Sequence, residues 1–168
     1  MSAPPQQQAA WERRDSCRGK GWGVFATRAL TAGELAATAA LLERGLTVKT
    51  DEHCASIGRD EYGRYEEPCR SINHSCEPNC RLVLGPGMER RVVAIKNIAA
   101  GQELTVDYCC QNYWFKAPFE CRCGAGAACR EIINGYSQLT TEQKRRCQNL
   151  VLPFLKGLEL EQDDGRSN

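Results

Sequence analysis

The sequence contains no long apolar run. Its longest stretch of small apolar residues, Ala36 to Leu42, is broken by Thr38, far short of the roughly 18 residues that a membrane-spanning helix needs. Excess charge is missing too. Over 168 residues the formal net charge is +1, which argues against a surface given over to direct nucleic-acid binding while leaving room for a local basic groove. Met1 to Ala10 has neither the basic start nor the apolar centre of a secretory signal; rich in Pro, Gln and Ala, it reads as a disordered lead-in. The expectation is a protein that is not secreted and not membrane-bound, intracellular in a reducing compartment, nuclear or cytoplasmic.

Cysteine is abundant, with 11 residues. In a reducing compartment a clustered subset suits metal ligation or catalysis better than a disulfide framework. Cys17, Cys54, Cys69 and Cys147 are scattered and read as small buried hydrophobes. Hydrophobic residues at 42% and charged residues at 26% are enough for one packed domain.

Glycine divides the chain into short pieces, which favours strands over helices. Trp22 to Thr27, Leu46 to Lys49, and Arg81 to Leu84 with Arg91 to Ile95 around Gly85-Pro86-Gly87 all read as strands. Glu103 to Tyr108 reads as a further, half-buried one. An echo links Ala29-Leu30-Thr31-Ala32-Gly33-Glu34-Leu35 to Asn97-Ile98-Ala99-Ala100-Gly101-Gln102-Glu103-Leu104. A duplicated strand–turn–strand element and coincidence both explain it. Near the C-terminus Thr140 and Gln143 form a capping box, and Pro153 separates two short helices. The fold class expected is α+β, mostly β.

Four motifs carry chemistry. Cys121-x-Cys123-x5-Cys129 places three thiols on a glycine-rich loop, the donor set of a structural zinc that lacks one local ligand. The spacing leaves Cys76, Cys80, Cys109 and Cys110 as candidates for the fourth. Asn73-His74-Ser75-Cys76-Glu77-Pro78-Asn79 concentrates hydrogen-bonding groups beside Ile72, an arrangement costly to bury without a purpose. A cysteine protease built on Cys76 is disfavoured there, because a histidine two residues away does not easily reach the thiol in line. Gly19-Lys20-Gly21-Trp22-Gly23 lacks the strand before and helix after of a dinucleotide loop, so its glycines admit a close approach by a ligand or another strand. Glu103-Leu104-Thr105-Val106-Asp107-Tyr108 ends in a tyrosine.

In this order the four motifs resemble the SET-domain protein lysine methyltransferases that carry a post-SET cysteine segment. The family's G-x-G, N-H-S-C-x-P-N, E-L-T-x-D-Y and C-x-C…C elements correspond to Gly21–Gly23, Asn73–Asn79, Glu103–Tyr108 and Cys121, Cys123 and Cys129. The resemblance implies small β-sheets, a pseudoknot joining the Asn73 and Tyr108 segments, a post-SET zinc loop and short helices. It implies S-adenosylmethionine bound by Gly21, Trp22, Arg70, Asn73, His74 and Tyr108, with Tyr108 the catalytic tyrosine. Cys76 becomes the fourth zinc ligand beside Cys121, Cys123 and Cys129. The implied partner is a protein presenting a lysine, a histone tail among the candidates.

The division expected is 1–12 lead-in, 13–110 SET domain, 111–131 post-SET segment, 132–160 helical segment and 161–168 acidic tail. Three departures stand out: the loop is one residue longer than the usual C-x4-C, Ser71 stands where an aromatic is usual, and Val106 stands where a Phe or Tyr often tunes the number of methyls. The insert between Glu43 and Cys69 is short, so substrate recognition is left undefined. The competing reading is a non-catalytic, zinc-stabilised binding module with the same fold.

Overall fold

The structure is a computed structural model that describes residues 9–16, 21–46, 54–58 and 61–164. Along the chain run β1 (Trp11–Asp15), β2 (Trp22–Ala26), β3 (Leu35–Ala39), β4 (Leu41–Leu46), β5 (Cys54–Ser56), β6 (Tyr62–Tyr65), β7 (Asn73–His74), β8 (Cys80–Leu84), β9 (Arg90–Ala94) and β10 (Glu103–Val106). After them come β11 (Phe119–Glu120), β12 (Ile132–Ile133), α1 (Thr141–Cys147) and α2 (Pro153–Asp164). The described part is β-rich with two C-terminal helices, as the sequence leads one to expect. Cys17, Lys49 and the 1–8 part of the lead-in lie outside the described residues.

One sheet has the order β1-β2-β10-β7, a second β3-β9-β8 and a third β4-β6-β5. The charged strand β1, Trp-Glu-Arg-Arg-Asp, forms the exposed edge of the first sheet, where charge discourages edge-to-edge pairing. Beside it β2 buries Val24, Phe25 and Ala26. The expected 81–95 hairpin forms, with Cys80 opposite Ala94 and Leu84 opposite Arg90. The third sheet is tied down by Arg90, only 2% exposed. Its guanidinium donates to Gln111 Oε1 (3.1 Å) and the Ser56 carbonyl (3.0 Å) and stacks over Tyr65.

The echo in the sequence is a real duplication of local structure. Leu30 and Ile98 exchange backbone hydrogen bonds at 2.9 Å. Gly33 N–H donates to Ala94 O (2.8 Å), and its counterpart Gly101 N–H donates to Ala26 O (2.7 Å). Ala94 N–H donates to Glu34 O and Ala26 N–H to Gln102 O, both at 2.9 Å. The two glycines have φ of +93° and +80°, a conformation that suits glycine. Each copy closes on the other through these bonds, with β1, β2 and β10 answering in order to β8, β9 and β3. Leu30 and Ile98, each 2% exposed, sit at the centre of the aliphatic core.

The expected strand over 103–108 stops at Val106. Asp107 leaves the ladder and its carboxylate caps a 3-10 turn, Tyr108–Cys110, by accepting from Cys109 N–H at 3.0 Å. The C-terminal capping box forms as expected: Gln143 N–H donates to Thr140 Oγ1 and Thr140 N–H to Gln143 Oε1. Pro153 opens α2 as its first residue, where a missing N–H costs nothing. Leu152 N–H donates to Cys110 O (2.9 Å), fastening the helical segment to the turn after Tyr108.

Candidate functional site

The parallel pairing of β7 with β10 sets Thr105 against Asn73 and Val106 against His74, so two segments distant in sequence end at the same place. Asn79 locks this arrangement. Its side chain donates to Glu103 O and accepts from Thr105 N–H, both at 2.8 Å, completing the edge of β10 as a strand would. Asn73 Nδ2 donates to Trp22 O (3.0 Å) and to Glu103 Oε1 (2.8 Å), joining the glycine element to the same centre.

A cleft of about 840 Å³ opens over this junction, within the range of small-molecule sites. Gly21, Trp22, Arg70, Asn73, His74 and Tyr108 all line it, and the structure therefore brings together every residue expected at the cofactor. Arg13, Glu67, Phe119 and Glu120 lie on its walls as well. Trp22 is 55% exposed and carries the Arg13 guanidinium 4.5 Å from its ring centre. The glycines divide the two roles that the sequence left open. A side chain at Gly21, φ +73°, would meet open space, whereas one at Gly23 would stand 2.6 Å from Glu103 Oε1 and 3.1 Å from Asn73 Nδ2. Gly21 faces the cleft; Gly23 permits the close approach of a neighbouring strand.

Tyr108 O–H donates to the Ile72 carbonyl at 2.8 Å. Its ring rests between His74 (5.4 Å between centroids) and Phe119 (6.3 Å). With its proton committed to Ile72, the hydroxyl presents oxygen lone pairs to a ligand. His74 is 7% exposed and its Nδ1 accepts from Tyr108 N–H at 3.1 Å. The neutral ring then carries its proton on Nε2, which stands 3.3 Å from Cys76 Sγ. The histidine reaches the cysteine two residues away because the chain bends at Cys76 and Glu77. The direction is nonetheless wrong for a Cys/His nucleophile: Nε2 donates to sulfur and has no lone pair with which to take its proton.

Four sulfurs gather behind this wall. Cys76 and Cys121 Sγ are 3.7 Å apart, and Cys123 and Cys129 Sγ 3.9 Å apart. Thiolates about 2.3 Å from a tetrahedral ion stand about 3.8 Å from one another, a spacing that each of these two pairs has. The ligand atoms of His74, Cys76, Cys121 and Cys123 also lie within 4.8 Å of one another. Cys129 Sγ lies beside that group, 3.9 Å from Cys123 Sγ. Gly124 and Gly126, with φ of +74° and +55°, and the turn Gly126–Ala128 take up the extra residue of the loop. Burial pushes the Cys76 thiol up to about 11. At Cys123 burial is overridden by hydrogen bonds from backbone N–H groups of Cys76 and Ala125, and the thiol falls to about 7. Of the other candidates, Cys80, Cys109 and Cys110 are buried in the cores. Cys54 and Cys147 are buried as well, while Cys69 is partly exposed.

Sequence reasoning passed over two residues here. Asp107, 4% exposed, receives both terminal nitrogens of Arg130, with Nη1 3.2 Å from Oδ1 and Nη2 paired with Oδ2. Burial pushes the Asp107 carboxyl up, and Arg130 opposes it. Burial also works against the charge on Arg130, but Asp107 outweighs it and holds the guanidinium above its usual range. An arginine directly after the last cysteine of a thiol loop is the signal that would have pointed to this pair.

A family model described as the SET domain matches residues 21–109. The chain belongs to the SET domain family. The histone-lysine N-methyltransferase ash1 of Drosophila melanogaster is 42% identical over 81 residues, covering 45% of this chain and 4% of that protein. Histone-lysine N-methyltransferase 2B of Homo sapiens is 31% identical over 138 residues, covering 68% of this chain and 5% of its own length. This SET-domain chain therefore spans about a twentieth of these curated relatives. A crystal structure of a Plasmodium falciparum protein described as a histone methyltransferase superposes with a TM-score of 0.52 at 18% identity, covering 60% of this chain and 94% of that one. That likeness bears on the SET fold. Among the described residues no helix is long and apolar enough to cross a membrane.

Proposed function

We propose that this chain is an S-adenosylmethionine-dependent protein lysine N-methyltransferase, acting on a lysine of a histone or another protein in the nucleus or cytoplasm. The observation that carries the reading is the meeting of Asn73, His74 and Tyr108 with Gly21 and Trp22 around one cleft. The names of the relatives, histone-lysine N-methyltransferases, support it.

S-adenosylmethionine supplies an electrophilic methyl group on a cationic sulfur. Gly21, Trp22, Arg70, Asn73, His74 and Tyr108 hold it. The amine must arrive neutral, since an ammonium has no lone pair, and a desolvating wall of Tyr108 and Phe119 favours the neutral form. The Tyr108 oxygen accepts from the amine N–H and aligns its lone pair, so the chain acts mostly by orientation. His74 has both ring nitrogens engaged and is not a base. Cys76, Cys121, Cys123 and Cys129 would hold a zinc, whose role would be structural. The 111–131 segment serves as the zinc-bearing flank of the cleft, and 132–160 buttresses it.

The test is incubation of the purified chain with isotope-labelled S-adenosylmethionine and either histones or a mixed protein extract, read by mass spectrometry. Label on lysine side chains is the expected result. Binding of S-adenosylhomocysteine by calorimetry with no label transferred to any protein would convert the enzyme into a binding module.

A further inference from the structure

We propose that Arg130 is a positioning residue that couples the thiol cluster to Tyr108 through Asp107. The inference rests on the methyltransferase reading for its kinetic arm and on the geometry alone for the rest. Three contacts fix Arg130. Its backbone N–H donates to Cys76 Sγ (3.4 Å), its carbonyl accepts from Ile132 N–H (2.6 Å), and its side chain takes both oxygens of Asp107. The residue between Arg130 and Ile132, Glu131, is held at φ +62°. That conformation is unfavourable for a residue with a side chain and persists only where surrounding contacts impose it. Cys121 N–H, donating to Glu131 O at 2.6 Å, is one of those contacts. The strained turn aims Arg130 inward, away from solvent and onto a buried carboxylate.

Asp107 is the immediate neighbour of Tyr108 and shapes the turn that carries it. Oδ1 accepts from Cys109 N–H, while the Asp107 carbonyl accepts from Cys110 N–H at 3.0 Å. On the other flank Tyr108 N–H donates to His74 Nδ1, and His74 Nε2 donates to Cys76. The thiol cluster therefore grips Tyr108 from two sides. One path runs from Cys76 through His74 to the Tyr108 amide. The other runs from Cys129 through Arg130 and Asp107 to the turn. The second contains the buried Arg130–Asp107 ion pair, with His74 Nδ1 of the first path 3.7 Å from Asp107 Oδ1, and removing one member of an ion pair leaves its partner's charge uncompensated. Without Arg130 the Asp107 carboxylate loses its two strongest donors, and the turn that places the Tyr108 hydroxyl against Ile72 loosens. The four cysteines themselves are untouched.

The experiment uses the zinc-loaded full chain with Arg130→Gln, Arg130→Lys, Asp107→Asn and the Arg130→Gln/Asp107→Asn double variant. Amide hydrogen exchange is read over a peptide spanning 105–112, zinc release to excess chelator is timed, and kcat and KM are measured separately. In Arg130→Gln zinc content stays near one ion per chain, exchange at 105–112 and zinc release each rise about tenfold or more, and kcat falls about 10- to 100-fold with KM for S-adenosylmethionine within about threefold. Arg130→Lys, which keeps the charge but not the fork, recovers part of the loss. The double variant is no worse than the worse single one, as members of one network are not additive. Unchanged exchange at 105–112 in zinc-loaded Arg130→Gln would overturn the proposal, as would additive losses in the double variant. An equal rise of exchange across β2 and β9 would overturn it too, by showing general destabilisation. If Arg130→Gln does not fold, Arg130→Lys carries the same readouts. A wild-type chain that transfers no methyl defeats the enzyme reading alone, since exchange and zinc release still decide the coupling.

Discussion

The chain has two buried clusters made of different materials. The first, around Val24, Leu30, Val92, Ile98, Leu104 and Val106, is almost wholly aliphatic and is threaded by long antiparallel ladders. The second, around Cys109, Cys110, Tyr113, Ile133, Tyr136, Cys147 and Leu155, is rich in sulfur and phenol. Its sequence contributes 3-10 turns, one pair of two-residue strands and two short helices. The first cluster is stabilised by apolar burial and backbone pairing, which need nothing beyond the chain. The second has few ladder bonds and is held by the Arg130–Asp107 pair and the Leu152 anchor, with the proposed zinc on its thiols as a further cross-link. Tyr108 stands on the boundary, packed against both.

The hardest test of this contrast is removal of the metal. Chelation, or Cys129→Ser, should lower zinc content and cofactor affinity and open residues 111–139 to hydrogen exchange while β2, β9 and β10 stay protected. Structural zinc contributes apparent binding energies of about 10–16 kcal/mol in small modules, enough to decide the state of this segment. Equal loss of protection in both regions would erase the distinction. The converse is Leu104→Ala, whose side chain is fully buried in the aliphatic cluster. It should cost about 3–5 kcal/mol in urea unfolding and lower the stability of both regions, because Leu152 of the C-terminal segment packs in the same cluster.

Tyr108→Phe probes the boundary. The ring still packs, so stability should fall by only about 1 kcal/mol for the lost bond to Ile72. Turnover should fall roughly 10²–10³-fold, since oriented hydrogen-bonding groups act mainly in the transition state. Single-turnover methylation at saturating cofactor measures this, and a wild-type rate would remove the hydroxyl from the mechanism.

The smallest effect belongs to the exposed face of α1. Hydrogen bonds from Arg145 and Arg146 hold the Glu142 carboxyl down at about 2, against an ordinary value of 4.5. A carboxyl whose folded pKa is lowered adds stability above 4.5 and loses it as the pH falls towards 2. Because the group is fully exposed, salt should weaken even this. The difference in melting temperature between wild type and Glu142→Gln should be slight at pH 6, vanish near pH 2, and leave kcat unaltered throughout.

Much of the site was legible because its chemistry sits in contiguous motifs. Asn73 to Asn79, Glu103 to Tyr108 and the Cys121 loop each name their residue types locally. The capping box of Thr140 and Gln143 and the paired Gly33 and Gly101 turns are likewise set by residues a few positions apart, and short-range geometry decides them. Which of four cysteines completes the thiol set was not legible from spacing alone, since Cys80, Cys109 and Cys110 were excluded only by the cores that bury them. The bend that lets His74 reach Cys76 was hidden because sequence spacing says nothing of direction after a two-residue strand.

Sequence by itself therefore determined β2, the β8–β9 hairpin, most of β10, the two C-terminal helices, the turns that need glycine, and the donor types of the cleft and the thiol loop, all of which follow from local sterics and the hydrogen-bonding inventory of each side chain. Tertiary structure alone decided that Gly23 serves Glu103 while Gly21 serves the cleft, that β10 stops at Val106, and that Arg130 turns inward to Asp107 across 23 positions of chain. Those outcomes depend on which surfaces meet, and a buried charge finds its partner by proximity in the folded state.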